Sequence, residues 1–241
     1  MNLSYYEMRQ EMVIVANQMW ERRLTNAAGG NFAVRVDEDK YLISPSLMSE
    51  RKHCMLTPED FLLVTTNGKV AEKGKDLEVK DIEILEGTGA LSREALMHVL
   101  ILYHFPEIEC TIHAHPFYCM PFVAYQISIP SATEATMNRG TVDSIEWTKA
   151  YSEELSRNVY QYFEDHRETA VVKPIGMIMP KHGVVVSGGS IYHAYSMLER
   201  IECEAYCETV RRLIDPARYD ELENKVDQLS AKMDEILARL K

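Results

Sequence analysis

Three histidines and one glutamate have the residue types and the spacing of a catalytic metal site. His113 and His115 end an apolar run, Glu94 precedes them, and His182 follows far downstream, before a glycine. Alternate side chains of a strand share a face, so His113 and His115 are expected to point the same way. Three neutral imidazoles with an open fourth position are typical of catalytic zinc. The pattern predicts a divalent metal that polarises a carbonyl or an alkoxide, with Glu94 moving protons.

The histidines also have structural interpretations. A His-x-His pair near a strand end could simply be two histidines with satisfied hydrogen bonds. His182 at an apolar strand boundary, and Glu94 on a helix that leads into the strand of His113, favour the metal. His98 lies one helical turn beyond Glu94, so it could orient Glu94 or pack the helix against the strand, and both interpretations remain open.

Small polar segments and one arginine are candidates for holding an anion. Two Gly/Ser-rich loops offer backbone N–H groups and hydroxyls to a phosphate. The start of the helix that carries Glu94 adds a hydroxyl, a guanidinium and the positive end of a helix dipole. The alternative is that these segments are ordinary turns and that Ser92 is a helix N-cap. The candidate residues are Gly30, Asn31, Ser44, Ser46, Ser92 and Arg93.

Length and composition indicate one large globular domain. The chain has 241 residues, of which 46% are hydrophobic and 26% charged, enough for a substantial core. The net charge of -11 argues against nucleic acid as a partner, although a local basic pocket could still bind an anionic substrate. No run is apolar enough for a membrane span, and no secretory signal is visible at Met1, so the cytoplasm is expected. The five cysteines are expected to be reduced thiols.

Helices and strands are mixed along the chain. Hydrophobic periodicity predicts helices over 4–23, 91–105, 116–125, 152–163 and 191–213. It predicts strands over 32–36, 41–44, 61–65, 108–113, 171–179 and 184–187. Asn67-Gly68 is a hairpin signal before a further strand at 69–71. This order favours a three-layer αβα domain around a mainly antiparallel or mixed sheet.

The C-terminal segment has a different periodicity. Its apolar residues recur at spacings of four and three, at Leu222, Val226, Leu229, Met233, Ile236 and Leu240. Such an a/d seam predicts an intermolecular coiled coil over 215–241, following a catalytic domain at 1–214. The alternative is a single amphipathic helix that lies on its own domain.

Taken together, the motifs resemble those of the class II aldolase and adducin-head family. The resemblance runs from about residue 8 to residue 212. The segments that carry it are Gly30-Asn31-Phe32-Ala33-Val34-Arg35, Ser44-Pro45-Ser46, Leu56-Thr57-Pro58-Glu59-Asp60, Ser92-Arg93-Glu94, His113-Ala114-His115 and His182-Gly183. It implies that the three histidines hold Zn²⁺ or another divalent metal such as Mn²⁺ or Co²⁺. It also implies that Glu94 is a resting ligand and an acid/base, and that the protein is a homotetramer.

The sequence departs from the family pattern at the anion site and at one acid/base position. Leu47 replaces the usual glycine after Ser46, and Arg93 replaces the second serine. An arginine can bind phosphate or carboxylate through two N–H groups. Some family members carry a catalytic tyrosine where this chain has Glu134, and others use a glutamate from a neighbouring subunit. The resemblance therefore makes Glu134 a candidate proton donor in trans.

The activity implied by the resemblance is metal-dependent aldol cleavage. A phosphorylated ketose or a related sugar would be cleaved through a metal-stabilised enediolate to dihydroxyacetone phosphate, or a similar fragment, and an aldehyde. Decarboxylation, 4-epimerisation and dehydration of a sugar phosphate or keto acid are the alternatives within the family. A non-enzymatic interaction module similar to the adducin heads is the third possibility.

Overall fold

The protein is built on one eight-stranded sheet with helices on both of its faces. The computed structural model describes residues 3–214 and, beyond them, residues 225, 228, 229, 232 and 233. The strands are β1 Asn31–Asp37, β2 Lys40–Ile43, β3 Leu62–Thr65, β4 Glu83–Glu86, β5 Cys110–Ala114, β6 Asp143–Ser144, β7 Gly176–Met179 and β8 Gly183–Gly188. Their order is β4-β3-β2-β1-β5-β8-β7-β6. Only β6 and β7 pair in parallel among these strands, which confirms a mainly antiparallel, mixed sheet.

Nine helices are found in the described part of the chain. They are α1 Tyr6–Glu21, α2 Met48–Lys52, α3 Lys69–Lys73, α4 Ala95–His104, α5 Met120–Tyr125, α6 Glu134–Met137, α7 Glu153–Asp165, α8 Arg167–Ala170 and α9 Ile191–Ile214. Three short 3₁₀ turns lie at Pro58–Asp60, Gly74–Asp76 and Val79–Asp81. No helix of the described residues combines the length and the apolar character that a membrane crossing requires.

The strands divide their side chains between two apolar cores. On β1, Phe32 and Val34 belong to the core that includes residues of α1 and α9, whereas Ala33 belongs to the core that includes residues of α4 and α7. Successive side chains of β1 thus alternate between the two cores, as expected for a strand that is buried on both faces. The α4 helix is apolar almost all round, because it contacts β1 and β5 on one side and α7 on the other. The three-layer arrangement therefore follows directly from the burial pattern.

Three sequence predictions about local structure are corrected. The segment at 69–71 is part of helix α3, because Gly68 adopts a left-handed φ of 79° and precedes a helical turn rather than a returning strand. The antiparallel partner of β3 is instead β4, which the sequence analysis did not predict. The helix predicted over 91–105 begins only at Ala95, so that Glu94 stands at its N-cap. The strand predicted over 171–179 begins only at Gly176, because a turn and Pro174 precede it.

The heptad segment at 215–241 lies almost entirely outside the described residues. Of its six apolar positions only Leu229 and Met233 are described, and both are exposed. Leu222, Val226, Ile236 and Leu240 fall outside the description. The division at residue 214, the coiled coil and the single-helix alternative therefore stay predictions.

Candidate metal centre

Two neighbouring strands and one hairpin turn bring the three histidines together. His113 lies on β5 and His115 follows directly after it, while β8 pairs with β5 on the side away from β1. His182 stands in the turn between β7 and β8. One ligand nitrogen from each histidine lies within 4.8 Å of those of the other two. Sheet register thus places residues that are 67 positions apart, from 115 to 182, in one cluster.

The glycine after His182 is required by this packing. A Cβ atom at Gly183 would lie 2.6 Å from the Ala114 carbonyl oxygen, 2.6 Å from His115 Cδ2 and 2.7 Å from His113 Cε1. A side chain there would push the backbone of β8 away from the imidazoles. The His-Gly motif therefore has a direct physical reason.

Burial keeps the three histidines in the neutral form that binds metal. Desolvation lowers the pKa of His113 to about 4 and that of His182 to about 4, and it also lowers the pKa of His115. His113 Nδ1 lies 3.0 Å from the Val184 carbonyl oxygen and donates its proton there. Its Nε2 lone pair is consequently left free, as in metal-binding histidines whose other nitrogen donates to a carbonyl.

Four buried polar atoms converge without hydrogen-bond partners among the described residues. They are Nε2 of His113, Nε2 of His115, Nε2 of His182 and Oε1 of Glu94. Each unpartnered buried polar atom costs about 1–3 kcal/mol. Glu94 Oε1 lies 3.1 Å from His182 Nε2, and Glu94 Oε2 lies 3.5 Å from His113 Nε2. Burial raises the pKa of Glu94, and His182 opposes that rise. This donor set fits a divalent cation, which would satisfy all four atoms at once.

A cavity of about 110 Å³ opens above the histidines and is lined by five of the six predicted anion-binding residues. They are Gly30, Asn31, Ser46, Ser92 and Arg93. Ser44 does not line it, because its fully buried hydroxyl accepts a hydrogen bond from the Phe32 N–H at 3.0 Å. Asn31 reaches the cavity, but its side-chain amide donates to Glu94 Oε2 at 2.5 Å. The Ser44 hydroxyl and one N–H of the Asn31 amide therefore bond to protein groups, and the anion-binding role of both residues stays a prediction.

The backbone at Leu47 keeps the conformation that glycine would favour. Its φ of 62° and ψ of 30° are left-handed, and it precedes helix α2 at the edge of the cavity. A left-handed residue with a Cβ costs roughly 1–2 kcal/mol. Leu47 therefore adopts, at some cost in strain, a backbone conformation that glycine would adopt without it.

Tyr151 is a cavity residue that the sequence analysis missed. The Arg93 guanidinium carbon lies 3.5 Å from the centroid of the Tyr151 ring, which is a cation–π contact. The same ring meets the His182 ring at 5.4 Å between centroids and an angle of 75°. Tyr151 also has a left-handed φ of 63°. No motif marked it, because it stands in a loop that the fold alone brings to the cavity.

Glu134 does not line the cavity of its own chain. It is exposed at the start of α6. The loop before it is anchored to α9 by the buried Glu204, which accepts hydrogen bonds from the N–H of Thr133 at 3.2 Å, from the Thr133 hydroxyl and from the N–H of Ala132. Glu134 therefore sits on a tethered loop, away from the histidines.

The fold and the site define an α/β protein with a buried three-histidine site suited to a divalent metal. A family model described as Class II Aldolase and Adducin N-terminal domain matches residues 10–209. The chain belongs to the class II aldolase and adducin N-terminal domain family, as the sequence motifs predicted.

Curated relatives of two kinds match most of the chain. An L-fuculose phosphate aldolase of Methanococcus maripaludis is 26% identical over 193 residues, covering 80% of this chain and 91% of the relative. A methylthioribulose-1-phosphate dehydratase of Yersinia pseudotuberculosis is also 26% identical, over 226 residues that cover 87% of this chain and 90% of the relative. Overall identity thus does not separate the two kinds.

Solved structures share the fold. An L-fuculose 1-phosphate aldolase superposes with a TM-score of 0.70 at 20% identity, covering 89% of each chain. A sugar-phosphate aldolase from Thermotoga maritima gives a TM-score of 0.67 at 23% identity, covering 88% of this chain and 96% of its own. At these identities the similarity establishes the architecture alone.

Proposed function

We propose that this protein is a metal-dependent aldolase that cleaves a phosphorylated ketose, or a related sugar, to dihydroxyacetone phosphate or a similar fragment and an aldehyde. The observation that carries the proposal is the convergence of four buried, unpartnered ligand atoms beneath a cavity with an arginine at its mouth. The family membership and the aldolase relative support it.

His113, His115 and His182 would hold the cation, with Glu94 as a further ligand, and Zn²⁺, Mn²⁺ and Co²⁺ all suit this donor set. The bound cation would supply Lewis-acid charge to oxygen atoms of the substrate. Glu94, whose pKa is raised by burial, suits proton exchange at the carbon of the fragment that keeps the phosphate.

The remaining steps belong to residues at the mouth of the cavity and on a neighbouring subunit. Arg93, Ser92, Ser46 and the backbone of Gly30 would bind the anionic end. As the carbon–carbon bond breaks, the hydroxyl on the aldehyde-forming carbon must lose its proton, and carbon in the other fragment must gain one. Glu134 of a neighbouring subunit is the candidate for the first transfer, and Glu94 for the second.

A homotetramer is proposed because Glu134 requires a neighbour. An open apolar groove of about 1100 Å³ borders His115, and Trp20, Phe117 and Met120 are among its lining residues. A neighbouring subunit seated there would remove this surface from water and close one side of the site. Light scattering of the full chain tests the tetramer. A chain truncated after Pro216 tests whether the heptad segment is needed for it.

Dehydration of a methylthioribulose-type phosphate is the second candidate. It is favoured by a specific observation, the dehydratase relative that equals the aldolase relative in identity and covers more of the chain. Decarboxylation and 4-epimerisation would use the same histidines and the same glutamate. A non-enzymatic adducin-like module would have no use for four converging ligand atoms.

The test is product formation by zinc-loaded protein from a panel of ketose 1-phosphates that includes methylthioribulose 1-phosphate. Release of dihydroxyacetone phosphate that disappears in Glu94→Gln would support the aldolase. Loss of water without carbon–carbon cleavage would assign the dehydratase instead. Metal-loaded protein that leaves the whole panel unchanged would overturn both.

A further inference from the structure

The carboxylate of Glu94 ends a series of three buried polar side chains. Asn31 Nδ2 donates to Glu94 Oε2 at 2.5 Å. His98 Nε2 lies 2.6 Å from Asn31 Oδ1, and His98 Nδ1 lies 2.6 Å from the hydroxyl oxygen of Thr111. The side chains therefore form one continuous line of hydrogen bonds from Thr111 to Glu94.

The series is built into the layer between helix α4 and the sheet. Asn31 opens β1 and is the direct cross-strand partner of His113 on β5. Thr111 lies two residues before His113, so both side chains are on the face that α4 covers. His98 is one turn beyond Glu94, at the spacing that brings two helical side chains together. His98 and Thr111 are fully buried, and Asn31 is 8% exposed.

When Glu94 is ionised, the hydrogen-bonding capacities of these groups allow one arrangement of protons. An ionised Glu94 only accepts, so the Asn31 NH₂ group must face it and the Asn31 oxygen must face His98. His98 must then donate from Nε2, which leaves Nδ1 to accept from the Thr111 hydroxyl. Burial lowers the pKa of His98 to about 3, which keeps the ring in the neutral form that this arrangement needs.

The arrangement gives the two oxygens of Glu94 different surroundings. Oε2 is held by Asn31, whereas Oε1 has no hydrogen-bond partner and lies on the side of His182. The Asn31 amide cannot turn over without breaking its bonds to Glu94 and His98 together. The Asn31 amide consequently holds Oε2 and leaves Oε1 on the side of His182.

We propose that His98 is a positioning residue, which holds the carboxylate of Glu94 in its working orientation through Asn31: the Asn31 oxygen accepts the Nε2 proton of His98, and the Thr111 hydroxyl donates to Nδ1. The expected effect on turnover rests on the proposed function, in which Glu94 transfers a proton. The orientation itself does not depend on the identity of the substrate. It also gives Asn31 a role in holding Glu94, beside the predicted role in holding an anion, which stays a prediction.

A purely structural role for His98 is the competing explanation, and the choice of substitution separates the two. Glutamine can donate to Asn31 and accept from Thr111, whereas leucine fills similar space without either hydrogen bond. His104→Leu is a matched control, because His104 ends the same helix away from the cavity and packs against Tyr103 and Tyr160. Unfolding of all three variants is followed by circular dichroism.

The first measurement is the tautomer of His98 in the metal-free protein, by ¹⁵N NMR of histidine-labelled chain, with the signal assigned by its loss in His98→Gln. A neutral ring protonated at Nε2 is expected, and Thr111→Val should leave that tautomer in place, because the Asn31 oxygen still accepts the Nε2 proton. Protonation at Nδ1 in the unsubstituted protein would overturn the proposal, whatever reaction the protein catalyses.

The second measurement compares zinc affinity and turnover. Zinc affinity by competition with a chromophoric chelator is expected to fall about 10-fold in His98→Leu, to recover in His98→Gln and to be unchanged in His104→Leu. With the substrate that the unsubstituted protein turns over, kcat should fall about 10–100-fold in His98→Leu with KM little changed. Equal losses for Leu and Gln would overturn the proposal, as would unchanged affinity in both. The zinc and NMR measurements need no substrate, so they test the positioning role of His98 even if the proposed reaction is wrong.

Discussion

The floor and the rim of the cavity are built on different principles. The floor consists of Glu94, His113 and His182, which line the cavity, together with His115, which packs beside them. All four are buried and are set by β5 and the residue after it, the turn into β8 and the start of α4. The rim consists of Leu47, Arg93 and Tyr151. Leu47 and Tyr151 have left-handed backbone angles, and Arg93 and Tyr151 are exposed. Ladder hydrogen bonds fix the floor, whereas loop conformation and one stacking contact fix the rim.

This difference separates chemistry from substrate choice. Small movements of the floor would break strand pairing, so its ligand atoms are held before anything binds. The rim can change through single substitutions in loops without disturbing the sheet. Substitutions in the two regions should therefore have effects of different size and kind.

The largest effect is expected from removing a floor ligand. His182→Ala should abolish stoichiometric zinc binding and reduce kcat/KM by roughly 10³-fold or more, because one of the three imidazole ligands of the metal is lost. Zinc content by atomic absorption and steady-state kinetics measure this. The exposed His166→Ala serves as the control. Full zinc content in His182→Ala would show that the zinc is not bound by the residues of the floor.

The next largest effect is a pH dependence of the unfolding free energy, which His98 is expected to cause. The pKa of His98 is about 3 in the fold against 6.5 for a free side chain, so the unfolded chain takes up its proton first as pH falls. The metal-free protein should lose unfolding free energy from about pH 6.5 down toward pH 3, with His98 contributing up to about 1.4 kcal/mol per pH unit. Urea unfolding of His98→Gln should show a shallower slope. An unchanged slope would mean that His98 is not held neutral.

A moderate effect is expected at the rim from Arg93. Arg93→Ala should raise KM for a phosphorylated substrate by roughly 10–100-fold, since a hydrogen bond to a charged group contributes about 1.5–3 kcal/mol. Zinc content should be unchanged. Inhibition by inorganic phosphate provides a second readout, and Arg93→Lys keeps the charge but loses the planar fork. Unchanged KM and phosphate inhibition in Arg93→Ala would place the anion elsewhere.

The smallest effect is expected from Tyr151. Tyr151→Ala removes the ring beneath the Arg93 guanidinium, a contact with a value of about 0.5–1 kcal/mol at an exposed site. KM should therefore rise a few-fold, while Tyr151→Phe keeps the ring and should match the unsubstituted protein. A loss in kcat for Tyr151→Phe would contradict this, because it would show that the hydroxyl takes part in the reaction.

The floor was accessible from the sequence, and the rim was accessible only in part. Side chains alternate along a strand, so a His-x-His pair at a strand end places both imidazoles on one face. His182-Gly183 adds a glycine that the packing requires. The directions of the Asn31 and Ser44 side chains depend on partners 63 and 12 residues away, which no local pattern reveals. Tyr151 reaches the site only through a loop, and the Asn67-Gly68 signal was overridden when Gly68 began a helical turn. Local pattern predicts elements, while tertiary contacts decide which way loop side chains point.

The strand order carries a consequence for how the protein is made. Strands β4, β3, β2, β1 and β5 come from the first half of the chain, and β8, β7 and β6 from the second, with the site at the β5–β8 seam. A nascent chain that has emerged only through α7 contains His113 and His115 but not His182, and no partner for the free edge of β5. The three-histidine set is therefore complete only after the two halves of the sheet have joined, so an ion bound by all three would report that synthesis and closure of the sheet are complete.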